Sequence, residues 1–536
     1  MPAFLASVFV MRAVAVGCPI RFLRSPQTWA TFLAWCWLFT PLVWIWPTTR
    51  SLGEAALSAL LLMGVLLSRA VTRAAVTLLW LSGLCFLGYF FAVHSLPDEF
   101  FWQSLLGSNA NEALEFASAY RLRDWFCMLA WAVPAIWAVQ HLWRVPRALR
   151  ARPVRALAWG TVVLWTLWAA VSVVKGYGVY GAFQRVDRIY PLMAVKSWER
   201  YAQHAALAHL QSDNTPPAHP PKVDVLVVVL GESASAHRWS LLGYSGQDTN
   251  APLAAWQEGV LAMPLTTNGN NTAQTLPVIV AGQSLTPIPT TTLTSYIDQG
   301  RAAGFRNVVL ANQQAPGFAH AALRGRSDSF MQLQDGQYDG ALTPGLKAAL
   351  QEAVAAKQPL VVTLHTYGSH PRIESRTPSD AARWDDPYDN SQHYTSTLLA
   401  QWIAQLQALP NARAALLYVS DHGQDFPVCG GRYVHGNTRS TYEVPFLLWS
   451  NDRLREQQSD WWKIWQDMAM HAVDTEGVPR YNTLLPARAI AQLLGYNVTL
   501  PSGSKEAIGS YPPAADSSLC VDWHSRVQTL HPAAVR

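Results

Sequence analysis

The chain has 536 residues, of which 50% are hydrophobic and only 14% charged, and its net charge is +5. That length admits two or three domains. The small positive surplus does not describe a nucleic-acid-binding surface, because the arginines gather between apolar segments, as membrane topology demands.

The first third is rich in Trp, Leu, Ala and Val, whereas the remainder has the composition of a soluble protein. Apolar stretches at 28–46, 52–67, 74–93, 125–143 and 156–174 read as membrane spans. Roughly 20 residues are needed to cross the hydrocarbon core, which makes the second the shortest fit. Arg21 and Arg24 precede the first stretch, Arg69 and Arg73 follow the second, and five arginines occupy 144–155. The positive-inside rule places all three groups in the cytoplasm and everything after Val174 outside. Of the six cysteines, Cys429 and Cys520 alone fall in the exported part, where a disulfide is allowed but not dictated.

Between the third and fourth spans, residues 94–123 alternate apolar and polar positions at helical spacing, as an amphipathic loop on the outer membrane surface would. Residues 175–211 read as a helical connector, and "SDNTPPAHPPK" (212–222), with its four prolines, as a linker. From Val223 onward the runs "VDVLVVVL", "FRNVVLAN", "PLVVTLHT", "AALLYVS" and "VPFLLWS" alternate with helix-like segments. Continuous Val/Leu runs indicate strands buried on both faces, hence an α/β domain with a mainly parallel central sheet. Ligands bind beyond the carboxyl ends of such strands.

At those ends stand Glu232, Asn312, His365 and His370, and the pair Asp421–His422. Glu, Asp and His are ligands that zinc accepts. In "NGNNTAQTLPVIVAG" (268–282), Thr272 reads as the N-cap of a helix, a place suited to an anionic phosphoryl group. Each residue also has a plain explanation: Asp421 could cap a turn, Thr272 a helix, and His370 and His435 could be ordinary surface histidines. Glu232 behind a buried strand is harder to dismiss, because a lone carboxylate there is costly.

"GESASAHRWSLLGYSGQDTN", "NTAQTLP", "GSHPR", "SDHGQDF" and "VHGN", in that order, resemble the motifs of membrane-anchored phosphoethanolamine transferases of the alkaline phosphatase and sulfatase superfamily. The resemblance implies a five-span inner-membrane domain (1–175), a periplasmic connector (176–222) and a periplasmic sulfatase-like catalytic domain (223–536). It implies zinc held by Glu232, Asp421, His422 and Thr272, with Thr272 also the nucleophile, five residues before Pro277. His370 and His435 match histidines that act on the substrate phosphate or hold a second zinc, and Asn312 a polar residue near that phosphate. Ser104, Ser108 and Glu112 fall where relatives face the lipid donor. The implied reaction moves phosphoethanolamine from phosphatidylethanolamine, through phospho-threonine, to an envelope glycan or lipopolysaccharide, releasing diacylglycerol.

Three departures qualify this. Gln424 stands where relatives have Glu, which removes a carboxylate and leaves one zinc expected and a second open. Asn268 and Val278 replace a flanking cysteine pair, and Pro316 replaces a basic residue. These point to the branch that modifies glycans or lipopolysaccharide core. A phosphoglycerol transferase, a phosphodiesterase and an inactive membrane-bound binding module are the competing readings. The lack of a Cys-x-Pro-x-Arg motif argues against a formylglycine sulfatase.

Overall fold

The structure, a computed structural model, describes residues 26–45, 49–93, 101–102, 105–106, 117, 120–144, 152–175, 192–500 and 519–520, with short breaks at 286–287, 316, 334–336, 431–432 and 476. The bulk of these residues fall into two compact units, a helical one reaching Arg200 and an α/β one starting at Tyr201.

In the helical unit, Arg69–Ala92 and Leu122–Arg144 are long and apolar enough to cross a bilayer, whereas Ser51–Leu67 and Ala158–Val171 are apolar but shorter. Of the five expected spans, two are therefore helices of membrane-crossing length among the described residues, and the count of five is not shown. The first expected span is broken: one helix ends at Trp37 and the next starts at Pro41. Proline has no N–H to continue the ladder and disfavours helical backbone before it. Indole N–H groups satisfy polar atoms around this break, Trp37 donating to Trp131 O at 3.1 Å and Trp131 to Thr40 Oγ1 at 3.2 Å. The short second stretch is an α-helix, Thr49–Leu61, extended by a 3-10 helix, Leu62–Leu67. The steeper 3-10 rise lengthens the pair to roughly 30 Å.

The α/β unit is built on a seven-stranded sheet in the order β2-β7-β6-β1-β5-β3-β4. Five strands coincide with the apolar runs: β1 (Val225–Gly231), β3 (Arg306–Ala311), β5 (Leu360–His365), β6 (Ala414–Ser420) and β7 (Glu443–Ser450). Two arise from sequence that does not read as strand, β2 (Val260–Thr266) and β4 (Ser329–Gln332). The sheet is mixed: β7 runs antiparallel to β6 and β2, and every other pairing is parallel. Pro264 of β2 faces Pro445 of β7. Since neither can donate, they can share only a rung that carries no hydrogen bonds.

Central β1 shows why its sequence is apolar throughout. Leu226, Val228 and Leu230 enter a core formed with helices Thr272–Ala281, Gly317–Gly325, Ser459–Met470 and Leu485–Leu493. Val225, Val227 and Val229 enter the opposite core, with helices Thr343–Ala356 and Pro387–Gln407. Both faces are covered, so β1 is buried along its whole length.

The proline-rich segment is laid against this unit. His219 N donates to Gly495 O at 3.0 Å, Lys222 N to Leu493 O at 2.8 Å, and Tyr496 Oη to Thr215 O at 3.1 Å. Gly495 has φ +93°, and a Cβ there would lie 2.1 Å from the His219 carbonyl oxygen. Gly495→Ala is therefore expected to destabilise the unit by about 2 kcal/mol in denaturant unfolding. An unchanged midpoint would show that the segment lifts away without cost. Cys429 and Cys520 are joined by a disulfide, with Cα atoms 5.1 Å apart.

Candidate active site

The carboxyl ends of β1 and β6 are neighbours, and the chain turns sharply at each. Beyond β1, Glu232 is followed by Ser233 at φ +60°, so the backbone turns directly after the carboxylate. Gly368, at φ +49°, packs so closely on Glu232 that a Cβ would lie 2.4 Å from its carbonyl oxygen, and Ser369 N donates to that oxygen at 2.9 Å. Beyond β6, Asp421 Oδ1 accepts from its neighbour His422 N at 2.7 Å and from Ser233 N at 3.1 Å. β2 ends beside them and delivers the third element. From Thr267, whose Oγ1 donates to Asp421 O at 2.8 Å, the chain runs through 268–271 into the helix Thr272–Ala281.

The N-cap of that helix is Asn271, not Thr272 as the sequence suggested. The Asn271 side chain accepts from Gln274 N at 3.2 Å. The one-residue difference leaves the Thr272 hydroxyl for other contacts. Thr272 Oγ1 donates to Glu232 Oε2 at 3.1 Å and lies 3.4 Å from His422 Nε2. That nitrogen is 3.3 Å from Glu232 Oε1 and 3.5 Å from Asp421 Oδ2.

Ligand atoms of Glu232, Asp421 and His422, all buried, lie within 4.8 Å of one another. Asp421 Oδ2 is buried and has no hydrogen-bond partner. His422 Nδ1 lies 2.8 Å from Gly423 O. A carbonyl only accepts, so Nδ1 carries the proton and Nε2 is the atom left for an ion. Two carboxylates, one imidazole nitrogen turned inward and a hydroxyl are a donor set that suits a divalent metal. The electrostatics agree. Burial raises the Asp421 carboxyl, and the adjacent Glu232 charge adds to it, to about 7. Burial opposes the charge on His422, but Asp421 and Glu232 outweigh it and lift the imidazole to about 9. Burial likewise opposes Glu232 ionisation, yet the bond and charge of His422 hold it well below the carboxylate range.

Other predicted residues surround this cluster. The His435 ring centroid is 4.8 Å from that of His422; burial, reinforced by the charges of His422 and His370, keeps it well below the usual imidazole range. His370 follows the Gly368–Ser369 turn, its ring edge-on to Tyr367 at 5.0 Å. His365 ends β5, and burial pushes it down to about 4, so it is neutral. Gln424 is buried and donates to Ser369 O at 3.3 Å, its Oε1 having no hydrogen-bond partner. Asn312 is engaged elsewhere, its amide donating to Asp339 Oδ1 at 2.8 Å and Gln337 O at 3.0 Å. Ser104, Ser108, Glu112 and Pro316 lie outside the described residues.

The next residue, Gln313, was not singled out by sequence, yet it reaches the cluster. Its Nε2 donates to Glu232 Oε2 at 2.9 Å and Thr366 O at 2.9 Å, and lies 3.0 Å from His365 Nε2. The only sequence signal was its place just past β3. Gln313→Leu is expected to weaken divalent-ion binding about tenfold to a hundredfold, measured by chelator competition. Binding equal to wild type would mean that Glu232 needs no support from that side.

The sequence model of the Sulfatase family matches residues 224–462. The chain is 28% identical over 244 residues to the putative transferase YhbX of Escherichia coli K12, covering 42% of this chain and 43% of that protein. It thus spans less than half the length of that relative. It is 27% identical over 446 residues to the phosphoethanolamine transferase CptA of Salmonella typhimurium, covering 72% of this chain and 75% of that protein. In fold it is similar to the integral membrane lipooligosaccharide phosphoethanolamine transferase EptA of Neisseria meningitidis. That match has a TM-score of 0.60 at 17% identity and covers 89% of this chain and 96% of the other. Residues 224–462 are thus similar to the Sulfatase family, the fold is shared with a solved phosphoethanolamine transferase, and over most of its length the chain is similar in sequence to phosphoethanolamine transferases.

Proposed function

We propose that the protein is a zinc-dependent phosphoethanolamine transferase that works through a phospho-threonine at Thr272. One observation carries this reading: the Thr272 hydroxyl lies at a helix N-terminus, 3.1 Å from Glu232 and 3.4 Å from His422, inside a cluster suited to a metal. When bound, a zinc ion held by Glu232, Asp421, His422 and Thr272 would supply Lewis acidity, lowering the pKa of the threonine hydroxyl and offsetting phosphoryl charge.

The protein's own groups do the rest. Thr272 Oγ1 gives up its proton to solvent and attacks the phosphorus of phosphatidylethanolamine. The bond to the glycerol oxygen breaks, and diacylglycerol leaves with a proton. Amides of the first helical turn meet the anionic phosphoryl group, with His370 and His435 stabilising its oxygens or moving protons. Asn312 would act at one remove, by fixing the turn that carries His370. An acceptor hydroxyl then attacks phosphorus and regenerates Thr272. Gln424, an amide, adds no charge to attract a second cation, so one zinc suffices in this scheme.

The membrane-facing part completes the proposal. Residues 1–175 would cross the bacterial inner membrane five times, with the N-terminus in the cytoplasm. Residues 176–222 would connect them to a periplasmic catalytic domain, 223–536. The loop at 94–123 would bring Ser104, Ser108 and Glu112 to the ethanolamine head group, Glu112 pairing with its ammonium. Tethering replaces diffusion of a lipid donor with a high local concentration. The acceptor would be an envelope glycan or lipopolysaccharide.

The test is donor choice. Purified protein given fluorescent phosphatidylethanolamine should release diacylglycerol and gain phosphoethanolamine on Thr272, read by mass spectrometry. Faster release from phosphatidylglycerol would instead assign phosphoglycerol transfer. Release of both diacylglycerol and unattached phosphoethanolamine, with no adduct on Thr272, would assign hydrolysis.

A further inference from the structure

We propose that Ser233 is a positioning residue that sets the two carboxylates, so that Glu232 and Asp421 each turn a chosen oxygen toward the metal; this rests on the reading above. Ser233 is fully buried and lies between the two ligands. Its Oγ donates to Glu232 Oε1 at 2.7 Å and its N–H to Asp421 Oδ1 at 3.1 Å. Its carbonyl oxygen accepts from Tyr388 Oη at 2.7 Å, and the same phenol oxygen accepts from Ser235 N at 2.8 Å. Every polar group of Ser233 is thus engaged. Tyr388 is itself fixed, stacked on Tyr433 with centroids 4.9 Å apart and planes 7° apart.

The backbone is the second line of argument. Ser233 has φ +60°, where glycine would fit without strain. Relative to glycine its side chain brings strain and a hydroxyl, and that hydroxyl is bonded to Glu232. Ser233 holds Oε1 where it lies 3.3 Å from His422 Nε2, and Glu232 offers Oε2 to Thr272 and Gln313. With Oδ1 held by two N–H groups, Asp421 leaves Oδ2 without a hydrogen-bond partner. Removing the hydroxyl releases Oε1, and the carboxylate can rotate, which changes how its two oxygens meet the ion.

The experiment uses the full-length protein in detergent, stripped of metal and titrated with Co²⁺, whose visible absorption weakens on passing from four to five ligands. Ser233→Gly and Ser233→Ala keep the N–H bond to Asp421 and lose only the hydroxyl. Both are expected to bind Co²⁺ about tenfold more weakly and to absorb less per bound ion. Ser233→Gly, which relieves the strain, should melt within a few degrees of wild type without metal. Wild-type affinity and absorption in both variants would overturn the proposal, as would a lower metal-free melting temperature with unchanged Co²⁺ binding. Wild type that takes up no Co²⁺ would overturn the underlying metal reading as well.

Discussion

Thr272→Ala is expected to lower diacylglycerol release from phosphatidylethanolamine by at least about 10³-fold and to abolish the phosphoethanolamine adduct, with the fold intact. The contrast between activity and stability follows from the geometry. The hydroxyl is the only nucleophile that touches both Glu232 and His422 among the described residues, at 3.1 and 3.4 Å. Its loss leaves little unsatisfied, because Glu232 Oε2 keeps its bond from Gln313 and the helix keeps its Asn271 cap. Losing one partly buried hydroxyl bond costs about 1 kcal/mol, so the melting temperature should move by only a few degrees. Thr272→Ser keeps the oxygen and should retain activity within about tenfold. Unimpaired turnover by Thr272→Ala would remove the covalent mechanism; equal inactivity of Thr272→Ser, with wild-type metal binding, would argue that the hydroxyl is not what matters.

The fold of the α/β unit was legible where burial is symmetrical. β1, β3, β5, β6 and β7 are apolar on both faces because helices cover both, and such runs announce themselves in sequence. β4, four residues at the sheet edge and mostly exposed, bears no such pressure. β2 was hidden by Pro264, which is tolerated because β2 is an edge strand and its rung with Pro445 carries no hydrogen bonds, an arrangement no local pattern reveals. Legibility failed in the same way at the site. Asp421–His422 and Glu232 follow obvious strands, but Thr272 reaches them through the unseen β2. In "NNT" both Asn271 and Thr272 are good caps, and sequence alone does not choose between them. The choice matters, because a capping Thr272 would have turned its hydroxyl to a backbone N–H. Gln313 and Ser233 were passed over because amides and hydroxyls act here on other side chains, and that work appears only when distant strand ends meet. In the helical unit, composition found the apolar segments but not the break before Pro41, which depends on one imino acid.

Removal of the metal should eliminate activity and expose the pH dependence of the site. An ion present at a thousand times its dissociation constant adds about 4 kcal/mol to stability, so chelation should lower the melting temperature of the α/β unit by roughly 10 °C. Protons compete for the same atoms. Without metal, His422 keeps its proton up to about pH 9 and Asp421 up to about pH 7, whereas Glu232 is ionised throughout. An ion binding above pH 9 therefore displaces no proton from these three groups. Between pH 7 and 9 it must displace the His422 proton, and below pH 7 the Asp421 proton too. Affinity should accordingly rise with pH, by about two decades per unit below pH 7 and about one decade per unit from 7 to 9, then level off. Asp421→Asn removes one of the two protons. It should bind far more weakly at every pH, with the steep lower limb reduced to about one decade per unit. Zinc titrations in competing chelator at pH 6, 7, 8 and 9 would read these slopes. An affinity independent of pH across that range would mean that the ion, if it binds, does not sit on His422 and Asp421.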